Sequence, residues 1–177
     1  MKKFLSFPLA VLMLALSVPL GAAAPADSGL SLSCASCVLM EKETGTILLE
    51  ENAHEKLEPA SVTKVMTLLL VMEAVDAGQV SLDDPVTVSA YAAGMGGSQV
   101  YLEEGEQMSV SEMIKCVTVV SGNDCSVALA EHLAGSEGAF VARMNQRAQE
   151  LGMADTNFLN CTGLPAQGHV TSAHDIA

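Results

Sequence analysis

One stretch of the sequence, residues 61–77, constrains the fold most because it is apolar at nearly every position. Pro59 precedes the stretch and Gly78 follows it, so the pattern predicts a single helix that ends at a glycine in the C′ position. Apolar residues cover every side of this helix, and we therefore expect it to be buried in the middle of its domain. Lys64 is the only charged residue in the stretch before Glu73. A buried lysine is costly unless it is hydrogen-bonded or used.

This lysine follows Ser61 by one helical turn, in the pattern S-x-x-K. Both side chains then project from the same face of the helix. Ser61 stands at the predicted helix start, where free N–H groups favour developing negative charge. A lysine whose pKa is lowered by burial can take the proton of a serine and make it a nucleophile. Since S-x-x-K arises by chance about once in a chain of this length, its place on a buried helix carries the argument.

A second candidate element is Ser121-Gly122-Asn123, which interrupts a helical pattern. In one interpretation Gly122 ends a helix and Asn123 or Asp124 caps the next, with no chemical role. In the other, the turn holds a hydroxyl and an amide at the mouth of the site. Ser121 would then relay a proton, and Asn123 would orient Lys64 and a substrate amide.

The N-terminus has the layout of a secretory signal peptide. Lys2 and Lys3 precede an apolar stretch at 4–20, and small residues at 22–24 fit an A-x-A cleavage site. The alternative is an uncleaved membrane anchor, but the apolar stretch is short for a span. We therefore expect a signal peptide at 1–24, a lead-in linker at 25–36, and a protein exported to the extracytoplasmic cell envelope.

Composition narrows the function further. The formal net charge of −13 argues against a nucleic-acid partner, because phosphates would be repelled. Aromatic residues make up only 3% and tryptophan is absent, so an aliphatic, helix-rich core is expected. Of five cysteines, Cys34 and Cys37 form a C-x-x-C that could suggest a redox pair or half of a zinc site. Buried thiols or an incidental disulfide remain the alternative.

Turn and cap signals divide the rest of the chain. Glycine at the turn between two short apolar runs predicts a β-hairpin, and Ser109-x-x-Glu112 predicts a capping box. The pattern stops at Ala177 as a helix begins, and we expect a truncated domain. The predicted elements are strands at 37–41 and 46–50, a loop at 83–105, helices at 109–120, 124–134 and 137–151, an irregular segment after 152, and a helix start at 172–177.

S-x-x-K followed by S-x-N resembles the motif set of penicillin-binding proteins and serine β-lactamases. The finer similarity is to the low-molecular-mass serine-type D-alanyl-D-alanine carboxypeptidases, and it is carried by the segments at 58–67, 121–131, 140–164 and 169–175. The resemblance implies an α/β (α+β) fold of the penicillin-binding protein/serine β-lactamase-like transpeptidase type. At 37–177 it implies a partial catalytic domain with N-terminal strands and the helical subdomain, truncated before the C-terminal strands and the third-motif strand.

The resemblance also implies an acyl-serine hydrolase that needs neither metal nor cofactor. Ser61, Lys64 and Ser121 would be catalytic and Asn123 would bind substrate. The implied partners are a peptidoglycan stem peptide ending in D-Ala-D-Ala and β-lactams as inhibitors. Membrane association would occur only through a missing C-terminal region, and this fragment is expected to bind substrate poorly or to be inactive.

Two other functions remain open. A serine β-lactamase would share Ser61 and Lys64, but no glutamate has a sequence context suited to activating the deacylating water. A non-catalytic envelope-binding protein on the same fold is the other alternative. A histidine-dependent hydrolase lacks a nucleophile motif, and the four histidines are interpreted as surface or structural residues: His54, His132, His169 and His174.

Overall fold

The computed structural model describes residues 32–177, so the predicted signal peptide lies outside the described residues. No helix in the described part is long and apolar enough to cross a bilayer. In chain order the elements are β1 (Cys37–Met40), β2 (Ile47–Glu51), a 3₁₀ turn (Ala60–Thr63), α1 (Lys64–Asp76), β3 (Pro85–Thr87), α2 (Ala90–Ala93), β4 (Gln107–Ser109), α3 (Val110–Val120), α4 (Asn123–Ala134), α5 (Glu137–Glu150) and α6 (Ala173–Ile176).

The predicted N-terminal hairpin is confirmed. Strands β1 and β2 pair antiparallel, with an irregularity in register between Leu39 and Met40. Gly45 has a φ of 69°, which a glycine adopts without steric strain at this turn. Leu39 and Leu48 are each more than half exposed, so no described element covers these two side chains.

The sequence did not predict the second two-stranded sheet, which β3 and β4 form. The region at 83–105 was expected to be a loop, but it contains β3 and α2, and β3 pairs antiparallel with β4. Each strand has only three residues, too few for an alternating pattern to be detected. Their partners also lie some twenty residues apart in sequence, so no tight-turn signal links them. Pairing here depends on tertiary contacts.

The long apolar helix is confirmed, but its complete burial is wrong. The chain enters through the 3₁₀ turn, continues as α1, and leaves at Gly78 with a φ of 67°. Met66 and Val71 are buried, whereas Val65 is 58% exposed and Met72 is 40% exposed. That side of α1 remains partly open to solvent, so apolar composition alone overestimated its burial.

The helix at the centre of the core is α4 instead. Every residue from Asn123 to Ala130 is buried, and α4 packs against α1, α2, α3, α5 and β3. Small side chains such as Cys125, Ala128 and Ala130 allow neighbouring elements to approach it closely on all sides. The second candidate motif therefore lies at the start of the most buried helix.

The remaining helices follow their sequence signals. Ser109 and Glu112 form the predicted capping box of α3, and α5 begins at Glu137 as predicted. Gly135 has a left-handed conformation at the end of α4, as the sequence predicted. The largest fully buried side chains, which join α3, α4 and α5 to the segment after α5, are Met113, Leu129, Phe140, Met144 and Phe158.

Candidate active site

Ser61 and Lys64 are in direct contact at the start of α1. Lys64 Nζ lies 3.3 Å from Ser61 Oγ, close enough for a hydrogen bond. Ser61 is exposed, whereas Lys64 is only 3% exposed. Burial lowers the pKa of the Lys64 amine from its ordinary value of 10.5, because the charged form loses hydration. The pair thus presents an accessible hydroxyl to solvent and a desolvated amine beneath it.

The segment at 160–164 holds Lys64 from the other side. Lys64 Nζ donates to the Thr162 carbonyl at 2.6 Å. The preceding carbonyl, that of Cys161, accepts a hydrogen bond from Thr67 Oγ1 at 2.7 Å. Asn160 Oδ1 accepts from the backbone amides of Thr162 and Gly163, which folds the segment into a tight turn. These contacts join residues about a hundred positions apart in the chain.

The same segment lies against the backbone that precedes the serine. A Cβ added at Gly163, which has a φ of 86°, would overlap the carbonyl group of Ala60. Ala60 itself has a φ of 46°, a conformation that non-glycine residues rarely adopt. Such strain persists only where the surrounding structure holds it in place, and it concentrates at functional sites. Here it immediately precedes Ser61.

The second motif forms the corner between α3 and α4. Ser121, not Gly122, takes the left-handed conformation, with a φ of 59° and a ψ of 37°. The Gly122 amide donates to the Cys116 carbonyl at 3.2 Å. Within residues 32–177, the buried Ser121 hydroxyl is the one buried side-chain polar atom without a hydrogen-bond partner. Buried hydroxyls are normally paired, so this one is a candidate for a chemical role.

Asn123 is 4% exposed, and its hydrogen bonds connect this corner to the segment after α2. Its Nδ2 donates to the Gly96 carbonyl and its backbone amide to the Ser98 carbonyl, each at 2.7 Å. The structure therefore joins Ser61 to Lys64 directly. In the described part of the chain no hydrogen bond links either residue to Ser121 or Asn123.

Asp124 is a supporting residue that the sequence did not single out beyond a possible cap. It is completely buried, and its Oδ2 accepts hydrogen bonds from the amides of Val100 and Leu102 at 2.9 and 3.2 Å. Its Oδ1 accepts from the amide of Cys125 at 2.9 Å. One carboxylate thereby attaches the 100–102 segment to the start of α4. The only sequence signal for this role of Asp124 was its position as a charged residue directly after the S-x-N motif.

His169 is a structural histidine beneath the 3₁₀ turn. It is 2% exposed, accepts from the Leu159 amide at Nδ1, and lies 2.7 Å from Thr63 Oγ1 at Nε2. Because Nδ1 is an acceptor, the ring is neutral and Nε2–H donates to Thr63. Burial lowers the pKa of His169, which keeps this neutral form. His54, by contrast, lies at the surface beside Asp155, 2.9 Å away.

All five cysteines are free thiols in the structure. Cys125 and Cys161 are completely buried, and burial is the main cause that raises the pKa of each. Within residues 32–177 no three His, Cys, Asp or Glu side chains are grouped as metal ligands.

Comparison with known proteins identifies the family to which a chain with these motifs belongs. The profile of the D-alanyl-D-alanine carboxypeptidase family matches residues 22–177. The chain belongs to this family. It is 49% identical to the D-alanyl-D-alanine carboxypeptidase DacF of Bacillus subtilis, with 100% of this chain and 46% of that protein aligned. It is 41% identical to DacC of Escherichia coli, with 83% of this chain and 38% of that protein aligned.

Solved structures of similar proteins share the fold. The structure of DacD from Francisella tularensis superposes with a TM-score of 0.83 at 40% identity, covering 88% of this chain and 37% of that one. Penicillin-binding protein 6B of Escherichia coli gives a TM-score of 0.80 at 39% identity, covering 83% and 48%. The predicted α+β penicillin-binding protein fold is confirmed. The chain spans about half the length, or less, of the relatives it matches.

Proposed function

We propose that the protein is a serine D-alanyl-D-alanine carboxypeptidase that removes the terminal D-alanine from peptidoglycan stem peptides through an acyl-serine intermediate. The observation that carries this proposal is the contact between the exposed Ser61 hydroxyl and the buried Lys64 amine. Family membership supplies the reaction class. The proposal concerns the whole protein's activity, and this chain aligns with 46% of the length of the Bacillus subtilis relative.

Lys64 acts as the general base in this mechanism. Its lowered pKa enlarges the neutral fraction of the amine at physiological pH, and only the neutral amine has a lone pair to accept a proton. One amine hydrogen is directed at the Thr162 carbonyl, which leaves the lone pair free to face Ser61 Oγ. Ser61 then attacks the carbonyl carbon of the D-Ala-D-Ala bond, and its proton passes to Lys64.

Ser121 and Asn123 complete the reaction. The Ser121 hydroxyl has no partner within the described residues, so it is available to pass the proton from Lys64 to the departing D-alanine amine. Asn123 Nδ2 is engaged by the Gly96 carbonyl, and the role proposed for Asn123 in substrate binding therefore falls to its side-chain oxygen as an acceptor. Water then attacks the ester at Ser61 and releases the shortened peptide.

The cellular setting is also part of the proposal. The signal-peptide pattern at 1–24 and the proposed wall-peptide substrate support a location in the extracytoplasmic envelope, and the proposal includes roles in cell-wall maturation and cell shape. β-Lactams would acylate Ser61 because they mimic the D-Ala-D-Ala bond. No nucleic acid is expected to bind, and any membrane association would arise outside the described residues.

The test is intact mass of the natural full-length protein after exposure to a penicillin, together with D-alanine release from a D-Ala-D-Ala peptide. The parent is expected to form a persistent adduct and to release D-alanine. Ser61→Ala should do neither, and Ser111→Ala on α3, whose hydroxyl makes no hydrogen bond within residues 32–177, should match the parent. Rapid penicillin hydrolysis without an adduct would indicate a β-lactamase. No adduct, no hydrolysis and no D-alanine would leave a binding protein.

A further inference from the structure

Within residues 32–177, the 160–164 segment that carries the Thr162 carbonyl is hydrogen-bonded to α5 through the Glu137 side chain, and Asn145 of α5 binds the backbone of Phe158 just before it. Glu137 Oε1 accepts a hydrogen bond from the backbone amide of Cys161 at 3.0 Å. Its other oxygen, Oε2, accepts from the hydroxyl of Tyr91 at 2.7 Å. Glu137 is the first residue of α5, where the helix dipole favours a carboxylate. No other side chain in the described range binds the Cys161 amide.

The donors that face Glu137 remain protonated under ordinary conditions. The hydrogen bond to Glu137 raises the pKa of Tyr91 to about 12, and burial followed by Glu137 itself raises the pKa of the Cys161 thiol. Within residues 32–177 no Lys, Arg or His forms an ion pair with Glu137. The Glu137 carboxylate therefore accepts hydrogen bonds from neutral groups that stay protonated near neutral pH.

Glu137 and Thr67 together fix both ends of residue 161. The Cys161 amide is held by Glu137, and the Cys161 carbonyl is held by Thr67 Oγ1 at 2.7 Å. The Thr162 carbonyl belongs to the next peptide group, which adjoins this attachment and whose Gly163 amide donates to Asn160 Oδ1 at 2.7 Å. Lys64 Nζ makes two hydrogen-bond contacts, and the one to the Thr162 carbonyl oxygen, at 2.6 Å, is shorter than the one to Ser61 Oγ, at 3.3 Å.

We propose that Glu137 is a positioning residue: by holding the Cys161 amide it acts with Thr67 and Asn160 to fix the Thr162 carbonyl, which in turn directs Lys64 Nζ toward Ser61 Oγ. The catalytic consequence rests on the proposed function, whereas the geometric consequence for Lys64 does not. Glu137 itself touches neither the serine nor the lysine in the described structure.

Three variants of the natural full-length protein separate this role from a general loss of stability. Glu137→Ala removes both acceptor oxygens. Glu137→Gln removes the charge but keeps an oxygen that can accept from the Cys161 amide. Glu150→Ala is the matched control, because Glu150 lies on the same helix and, among the residues that the structure describes, its side chain accepts hydrogen bonds from Gln146 and Arg147 alone. Thermal unfolding checks that all three are folded at the assay temperature.

The first readout is the acylation of Ser61 by a fluorescent penicillin, resolved into the affinity of the initial complex and the acylation rate constant. We expect Glu137→Ala to lower the rate constant about ten- to a hundred-fold, as misplacement of a reacting group by about an ångström does. The affinity of the initial complex should stay within about twofold of the parent. Glu137→Gln should recover most of the rate, and Glu150→Ala should match the parent. An unchanged rate constant in Glu137→Ala would overturn the proposal.

The second readout does not depend on catalysis. NMR titration of protein labelled with carbon-13 at the lysine Cε, assigned with Lys64→Arg, reports the pKa of Lys64 directly. Because desolvation is the main cause of its lowered pKa, loosening of the 160–164 segment should admit water and move the pKa of Lys64 toward 10.5 in Glu137→Ala only. The same pKa in Glu137→Ala and Glu150→Ala would refute the positioning role. If the parent itself were not acylated, the proposed function would fail while this titration still decided the role of Glu137.

Discussion

Replacing Gly163 by alanine tests the close packing on which the site depends. Gly163 has a φ of 86°, and an added Cβ would overlap the Ala60 carbonyl. Left-handed backbone costs a non-glycine residue about 1–2 kcal/mol, and overpacking of a filled space costs about 1–3 kcal/mol more. The free energy of unfolding should therefore fall by about 2–5 kcal/mol. Relief of the overlap also moves the Thr162 carbonyl away from Lys64, so acylation should slow.

Gly168→Ala is the matched control for this substitution. Gly168 has a φ of 92°, but an added Cβ there would meet only Leu159 Cδ1, at an ordinary contact distance of 3.9 Å. The free energy of unfolding of Gly168→Ala should fall only by the cost of the left-handed backbone, about 1–2 kcal/mol. Urea unfolding of the full-length variants gives both free energies, and a fluorescent penicillin gives both acylation rates. Equal losses of stability at the two glycines, with acylation unchanged in Gly163→Ala, would refute the proposed packing.

Two further predictions concern buried polar residues. Burial lowers the pKa of His169 below its ordinary value of 6.5, so the unfolded state binds its proton first as the pH falls. The free energy of unfolding should decrease as the pH drops below about 6.5, and His169→Gln should weaken that dependence in urea titrations. Asp124→Ala leaves the amides of Val100 and Leu102 without their acceptor, and unfolding should become easier by about 2–4 kcal/mol. The exposed Asp83→Ala should stay within about 0.5 kcal/mol of the parent, and a similar loss in both would contradict the hydrogen-bond argument.

The sequence predicted those elements whose hydrogen bonds and turns involve residues close together in the chain. The capping box of Ser109 and Glu112, the hairpin turn at Gly45 and the helix ends at Gly78 and Gly135 all involve residues within a few positions of one another. Their hydrogen bonds and φ angles are largely set by the residues themselves. The short strands β3 and β4 have no such local signal, since each is stabilised by the other across an intervening loop.

The same distinction applies to the candidate site. Ser61 and Lys64 could be paired from their spacing on a helix, and the structure places them in contact. Glu137 was predicted only as a helix start, and Asp124 only as a possible cap. Their contacts with Cys161 and with the 100–102 segment span 24 and 22–24 residues, and no periodic pattern reports such contacts. Burial of α1 was overestimated because composition does not show which side another element covers.

The spacing of Ser61 and Lys64 does not by itself make a reactive pair. On an isolated helix both side chains would be solvated, and the lysine would keep its ordinary pKa and its charge. Its pKa falls because the fold buries the amine, and the 160–164 segment, 98 residues further along the chain at Thr162, supplies its carbonyl acceptor. Desolvating an amine is unfavourable, so the rest of the fold must stabilise this contact. The reactivity proposed for Ser61 is therefore a property of the folded chain, and substitutions that loosen the segment should reduce that reactivity before they unfold the protein.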